Sequence, residues 1–142
     1  MKTFFDSSVL LATFLADHQH HQLSMDAFLR ANPREDSCAA HSLAEIYATA
    51  TRLPGKHRVS GDQVLLFLEN IRERLSVIAL TSGEYSEALK DAAAMGIAGG
   101  TVYDALIAFC AIKARANCIF TWNIRHFQRL SPEISRLVQT PS

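Results

Sequence analysis

The sequence lacks long apolar runs, is poor in cysteine and carries no excess of either charge. No apolar stretch reaches the roughly 18 residues that a membrane-spanning helix needs. The three cysteines form neither a zinc motif nor a Cys-x-x-Cys pair, so we expect buried thiols in a reducing compartment. Because Asp6 interrupts any signal-peptide core, we expect a cytoplasmic protein that does not enter a membrane.

The absence of net charge limits how the protein can bind nucleic acid. Lys and Arg together number 14, and so do Asp and Glu. A neutral protein does not attract nucleic acid through its overall charge. The segment from Ala105 to the end of the chain, however, contains five basic residues and only one acidic residue. This basic bias leaves room for a local nucleic-acid-binding face.

Repeats, low-complexity tracts and linkers rich in Pro and Gly are also absent. The chain has 142 residues, of which 49% are hydrophobic, and a chain of this size can bury about 68–70% of its unfolded surface. Such an apolar content excludes an intrinsically disordered protein. We therefore expect one domain that spans residues 1–142.

Short β-like runs alternate with longer stretches of helical periodicity. The runs predict strands at Lys2–Phe5, Ser37–Ala40, Val77–Leu80, Ile119–Thr121 and Leu137–Thr140. The periodic stretches predict helices at Ser7–Ala16, His20–Ala31, Ser42–Arg52, Ser60–Arg74, Ser82–Met95 and Thr101–Arg115. Strands separated by helices form parallel βαβ units, so the sequence predicts an α/β protein with helices on both faces of one sheet.

Capping and burial within these helices can be predicted as well. Ser42 and Glu45 have the Ser-x-x-Glu spacing of a capping box, which places the start of a helix at Ser42. Ser60 is predicted to cap the next helix in the same way. The apolar side of the second helix is expected to comprise Leu23, Phe28 and Leu29.

Four polar residues lie close to the carboxyl ends of the predicted strands. Asp6 directly follows the first strand, Glu45 lies one turn into the helix after the second, Asp104 lies near the start of the helix from Thr101, and Asn123 lies just beyond the fourth strand. Parallel sheets bind ligands outside the carboxyl ends of their strands. All four residues therefore map to the same edge of the sheet.

The carboxylates among these residues sit in otherwise apolar stretches. Burying a lone carboxylate costs several kcal/mol or forces its protonation, and three converging carboxylates repel one another unless a cation lies between them. Hard oxygen ligands suit Mg²⁺ or Mn²⁺. Such a site can activate water and neutralise charge on a phosphodiester.

Each of these residues also has a simpler interpretation. Asp6 could cap the following helix, and Glu45 could be the capping-box partner of Ser42. Asp104 could stabilise its helix by interacting with the positive end of the helix dipole, and Asn123 could be a turn residue. The metal-site hypothesis therefore depends on the set and its spacing rather than on any one member.

Four segments, in order along nearly the whole chain, resemble the motifs of PIN-domain ribonucleases. Asp6–Leu11 resembles their opening motif, and Leu43–Ala48 together with Arg52–Gly55 resembles the second. Tyr103–Ala108 resembles the third motif and Thr121–Phe127 the fourth. The compact single-domain form is similar to the VapC-type toxins of bacterial toxin–antitoxin pairs.

The resemblance implies a three-layer α/β/α sandwich with a central, mainly parallel sheet, and an Mg²⁺- or Mn²⁺-dependent endoribonuclease. It implies that Asp6, Glu45 and Asp104 are catalytic metal ligands. Asn123 falls at a catalytic position where many members have Asp, which weakens the expectation of a second tightly held ion. Ser8 and Thr121 match polar positions that support the site.

The resemblance also implies partners. They are an RNA substrate and a cognate antitoxin, and a homodimer is expected. Apolar helical faces at Leu11–Leu15 and Leu65–Ile71 exceed what one sheet face needs, and could serve as a dimer contact or receive an antitoxin helix. The candidate RNA-phosphate contacts are Arg52, Lys56, Arg58 and Arg125.

Several alternatives stay open on the sequence alone. A phosphoaspartyl enzyme would use Asp6 as nucleophile, but such enzymes need a second Asp at the position of Ser8. A catalytically degenerate PIN-like binding module is supported only by Asn123. The histidines of the segment 17–21 lack the Cys or carboxylate partners of a tetrahedral metal site. Trp122 could pack in the core or border the substrate groove.

Overall fold

Five short strands form one parallel sheet in the computed structural model, which describes all 142 residues. The strands are β1 (Thr3–Phe5), β2 (Ser37–Ala39), β3 (Ser76–Ile78), β4 (Cys118–Phe120) and β5 (Val138–Gln139). Their spatial order is β3-β2-β1-β4-β5, and every neighbouring pair is parallel. The strand order reverses at β1, because β2 and β3 extend to one side of it and β4 and β5 to the other.

Helices connect the strands and cover both faces of the sheet, which confirms the predicted three-layer architecture. They are α1 (Ser7–Phe14), α2 (His21–Leu29), α3 (Ala40–Thr51), α4 (Gly61–Arg74), α5 (Ser82–Ala94), α6 (Thr101–Lys113), α7 (Ile124–Gln128) and α8 (Pro132–Leu137). A short 3₁₀ turn, Gly55–His57, lies between α3 and α4. None of these helices has the length and apolarity that crossing a membrane requires.

The sheet separates two hydrophobic cores. Successive side chains of a strand point to opposite faces, so Phe5 packs in one core and Phe4 in the other. The first core contains residues of α1 to α4, and the second contains residues of α6, α7 and α8. Because both faces of the sheet are covered, β1 to β4 have apolar residues at consecutive positions rather than alternating ones.

The structure corrects two local predictions. The helix predicted to start at Ser42 begins at Ala40 instead. Ser42 is therefore not an N-cap; its side chain is fully buried, and its hydroxyl is hydrogen-bonded to the hydroxyl of Ser7. In α2, Leu23 and Leu29 are about half exposed and only Phe28 of the three predicted residues is buried. The buried side of α2 consists instead of Ser24, Ala27 and Phe28. These residues are three and four positions apart, which is the spacing of one helix face.

The predicted cap at the start of α4 is confirmed as a complete capping box. The hydroxyl of Ser60 accepts a hydrogen bond from the Gln63 backbone N–H at 3.2 Å, and the Gln63 side chain accepts one from the Ser60 N–H at 3.3 Å. Two backbone donors that the helix itself cannot satisfy are thereby paired.

We expect Ser60→Ala to lower the free energy of unfolding by about 1 kcal/mol, because it removes one half of this capping box. Urea denaturation measures the change. The matched control is Ser82→Ala, since Ser82 is an exposed serine inside the first turn of α5 rather than a cap. Equal unfolding midpoints for Ser60→Ala and the wild type would contradict the assignment of the box.

Candidate active site

The candidate site lies at the carboxyl edge of the sheet, where the strand order reverses. Asp6 directly follows β1, and Thr121 directly follows the neighbouring strand β4. The Asp6 N–H donates to the Phe120 carbonyl at 3.0 Å, which holds the two strand ends together. Open parallel sheets form their ligand-binding crevices at such reversals.

Asp6 is buried and its carboxylate is held by neighbouring hydroxyl groups. Its Oδ2 accepts hydrogen bonds from Ser8 Oγ and Thr121 Oγ1, both at 2.8 Å. The Ser8 N–H also donates to Oδ2 at 3.4 Å, so Asp6 is the N-cap of α1 as its simpler interpretation predicted. Burial raises the pKa of Asp6, and the hydrogen bonds from Ser8 and Thr121 oppose that rise. With three donors on Oδ2, Oδ1 is the oxygen with acceptor capacity to spare.

Glu45 is positioned by two serines and by a histidine. The Ser7 hydroxyl lies 2.7 Å from Glu45 Oε1 and 2.7 Å from the Ser42 hydroxyl. An ionised carboxylate only accepts, so the single Ser7 proton goes to Glu45 and the Ser42 proton goes to Ser7. On the other oxygen, His41 Nε2 lies 4.0 Å from Oε2. This chain of hydroxyls ties α3 to the start of α1.

Asp104 lies in the first turn of α6, and its pKa is raised by burial and by the other two acids. Its side chain is one quarter exposed, and His126 Nδ1 lies 3.8 Å from its Oδ2. Burial raises the pKa of Asp104 and the negative charges of Asp6 and Glu45 raise it further, while His126 lowers it. The structure therefore brings the three predicted carboxylates within electrostatic reach of one another.

Asn123, the fourth predicted residue, lies at the same edge but is exposed. Its backbone N–H donates to Thr121 Oγ1 at 2.9 Å. It precedes α7, and its side chain makes no capping hydrogen bond there. The amide therefore brings no charge to this edge of the sheet.

The donor set fits a hard divalent cation in its chemistry. No group of three or more His, Cys, Asp and Glu side chains stands close enough to enclose a metal ion in this arrangement. Burial first, and then the negative charges of Asp6 and Glu45, disfavour the ionised form of Asp104 and raise its pKa, and a divalent cation would offset that penalty. Oxygen donors from carboxylates are those that Mg²⁺ and Mn²⁺ prefer.

The basic residues predicted to contact RNA after α3 lie away from the acids. Helix α3 runs away from the sheet edge, and Arg52 follows its last residue, seven residues or roughly 10 Å along the axis from Glu45. Lys56 and Arg58 line a separate cavity of about 500 Å³ beside the end of α1. The structure thus does not bring these three residues together with the carboxylates.

Other cationic groups lie next to Asp104 instead. A wholly polar cavity of about 350 Å³ is lined by Asp104 and by His126 and Arg129, with Gly100 and Thr101 completing its wall. Arg125, which the sequence did predict, is exposed on the same short helix α7 as His126. Sequence reasoning missed Arg129, and the only signal for it was the basic bias of the last third of the chain.

The remaining sequence candidates have structural roles. Trp122 is half-buried: its backbone N–H donates to Ser8 Oγ at 2.9 Å, and its ring N–H donates to Ser24 Oγ at 2.8 Å. His20 stacks on the Trp122 ring at 3.7 Å rather than facing a metal. The three cysteines are buried and unpaired, and burial raises the pKa of Cys38 to about 12.

Comparison with known proteins yields matches over most of the chain. The family model described as PIN domain matches residues 3–131. Ribonuclease VapC40 of Mycobacterium tuberculosis is 33% identical over 132 residues, which are 91% of this chain and 94% of that protein.

Solved structures show the same fold at low identity. Mycobacterium tuberculosis VapC20, described as a sarcin–ricin loop cleaving toxin, has a TM-score of 0.71 at 15% identity, over 86% of this chain and 90% of that one. A chain of a toxin–antitoxin complex from Klebsiella pneumoniae has a TM-score of 0.66 at 15% identity, over 99% and 98% of the two chains.

The repulsion among the acids predicts how the metal-free protein responds to pH. Because the folded-state pKa of Asp104 lies above its ordinary value of 3.8, its contribution to stability is present below pH 3.8 and is lost as the pH rises through the raised pKa. Asp104→Asn removes that charge, so we expect a higher free energy of unfolding than the wild type at pH 7, in EDTA. The gain should shrink as the pH falls toward 3.8.

Urea denaturation of both proteins in EDTA, at pH 7 and near pH 3.8, measures the difference in the free energy of unfolding. Glu69→Gln is the control, because Glu69 is an exposed carboxylate in α4, and surface substitutions change stability by about 0.5 kcal/mol at most. A metal-free Asp104→Asn protein that is less stable than the wild type at pH 7 would contradict the assignment of an unfavourable environment to the ionised Asp104.

Proposed function

Because the chain belongs to the PIN-domain family, and to the VapC ribonucleases within it, we propose that it is an Mg²⁺- or Mn²⁺-dependent endoribonuclease. The observation that carries the proposal is that Asp6, Glu45 and Asp104 lie at one sheet edge, within electrostatic reach of one another. These residues come from three separate parts of the chain, and nothing in the packing of the cores needs three acids there. Each would be a catalytic metal ligand.

A divalent cation held by these carboxylates would lower the pKa of a bound water and would neutralise negative charge on the phosphodiester. The chain's own residues hold the ligands in place. Ser8 and Thr121 fix Asp6 through its Oδ2, and Ser7 fixes Glu45. Ligands that are already oriented need little reorganisation when substrate binds. Because Asn123 brings no charge, the set suits a single tightly held ion.

Phosphate groups of the RNA would contact the cationic residues around the acids. His126 and Arg129 share the polar cavity with Asp104, and Arg125 extends from the same short helix α7 as His126. Arginine guanidinium groups donate two hydrogen bonds to one phosphate. The basic residues after α3 lie farther away, and we assign them to more distant phosphates; they are Arg52, Lys56 and Arg58.

We also propose that the protein is the toxin of a type II toxin–antitoxin pair and forms a homodimer. The likeness to a chain of a toxin–antitoxin complex supports the antitoxin partner. The structure offers apolar surface for both contacts: Leu65 and Leu66 of α4 are more than half exposed. A second apolar surface is a cavity of about 410 Å³ between α5, α6 and α8.

A catalytically degenerate binding module is the second candidate, and Asn123 at the fourth acidic position is the observation that favours it. The three retained carboxylates oppose it, because a module that binds RNA by charge gains nothing from acids next to its cationic groups. Cleavage of RNA separates the two candidates.

We expect Asp104→Asn to reduce Mg²⁺-dependent RNA cleavage on the order of 100-fold or more, because a metal ligand contributes several kcal/mol to the transition state. Cleavage is measured with purified protein, and RNA 5′ ends are mapped after induced expression. Glu69→Gln should cleave at the wild-type rate, and circular dichroism should show both variants folded. Full activity in a folded Asp104→Asn protein would overturn the assignment.

A further inference from the structure

Two aromatic rings form a stacked pair beside the acids. The ring centroids of Tyr103 and His41 are 5.1 Å apart, with an angle of 10° between the planes. Tyr103 directly precedes Asp104 on α6, and His41 lies one turn before Glu45 on α3. His41 Nε2 is 4.0 Å from a Glu45 carboxylate oxygen. The pair therefore bridges the two helices that carry two of the three carboxylates.

Core packing does not account for the tyrosine of this pair. Tyr103 is 49% exposed and belongs to neither hydrophobic core. His41 stacks against one face of its ring, which leaves the opposite face as the one on which a further ring could stack. A flat apolar surface thus remains open to solvent at the border of an otherwise polar site.

We propose that the open face of Tyr103 is a stacking platform for an unpaired nucleobase of the RNA, next to the phosphodiester that is cleaved. This inference rests on the proposed function and adds Tyr103 to it, as a residue that contacts a base beside the cleaved bond. Proteins bind unpaired RNA bases by stacking them on aromatic side chains, and such stacking tolerates any base because every base has a π-face.

The arrangement around Asp104 suits a nucleotide in this position. The polar cavity with His126 and Arg129 borders Asp104, and the Tyr103 ring is attached to the adjacent residue. Groups for a phosphate and a surface for a base thus border the same carboxylate. His41 also holds the tyrosine ring before RNA arrives, which reduces the side-chain entropy lost on binding.

The direct test is fluorescence quenching of a short single-stranded RNA that contains 2-aminopurine, titrated with protein in Ca²⁺, a hard cation that also binds carboxylate oxygens. The wild type should quench the base by stacking. Tyr103→Phe keeps the ring and should bind equally well, whereas Tyr103→Leu should lose quenching and bind roughly 5- to 100-fold more weakly.

The matched control is Tyr47→Leu. Tyr47 is 44% exposed on α3, but it follows Glu45 by two residues and so points to the opposite side of that helix. It should quench and bind as the wild type does. In Mg²⁺, Tyr103→Leu should raise the KM for RNA cleavage while leaving kcat nearly unchanged, a split that a merely structural role would not produce.

The outcomes distinguish the platform from the proposed nuclease activity. Cleavage by the wild type with no quenching, or with equal quenching by Tyr103→Leu, overturns the platform and leaves the nuclease assignment standing. Quenching that depends on the Tyr103 ring, without cleavage by the wild type in Mg²⁺ or Mn²⁺, supports the platform and overturns the nuclease assignment. Equal losses in Tyr103→Leu and Tyr47→Leu also overturn the platform.

Discussion

The architecture of the site depends on how Asp6 is kept inside the protein. Asp6 is only 3% exposed, so its carboxylate has lost most of its hydration, which costs several kcal/mol unless other groups replace the water. Ser8 and Thr121 do so with hydroxyl donors 2.8 Å from the same oxygen. These two bonds join the end of β1, the first turn of α1 and the end of β4. The same contacts therefore fix the position of Asp6 and hold together the strand ends at which the strand order reverses.

The other two carboxylates are placed around this fixed one. Helices α3 and α6 approach the same edge, and they carry Glu45 in the second turn of α3 and Asp104 in the first turn of α6. Ser7 and Ser42 hold Glu45, whereas Asp104 faces only a weak countercharge in His126 at 3.8 Å. The fold therefore concentrates negative charge without balancing it, which is the electrostatic condition of a cation site.

Sequence patterns predicted the layers and the placement of the acids at one sheet edge, because both follow from the order of strands and helices along the chain. Parallel strands bring their carboxyl ends to one edge of the sheet. Residues that directly follow the strands therefore lie near one another, however the helices are arranged in detail. What the sequence did not reveal depends on contacts between distant segments. Ser42 has the spacing of a cap but bonds to Ser7, 35 residues away, and the nearness of Arg129 to Asp104 follows from two short helices, α7 and α8, that carry too few turns to show a helical period.

The central claim is that Asp6, Glu45 and Asp104 together bind a divalent cation, and calorimetric titration of the purified protein with Mn²⁺ tests it most directly. The account predicts saturable binding in the wild type, affinity that falls at least tenfold in Glu45→Gln, and wild-type affinity in Glu69→Gln. Absence of binding in the wild type, or equal affinity in Glu45→Gln, would contradict it.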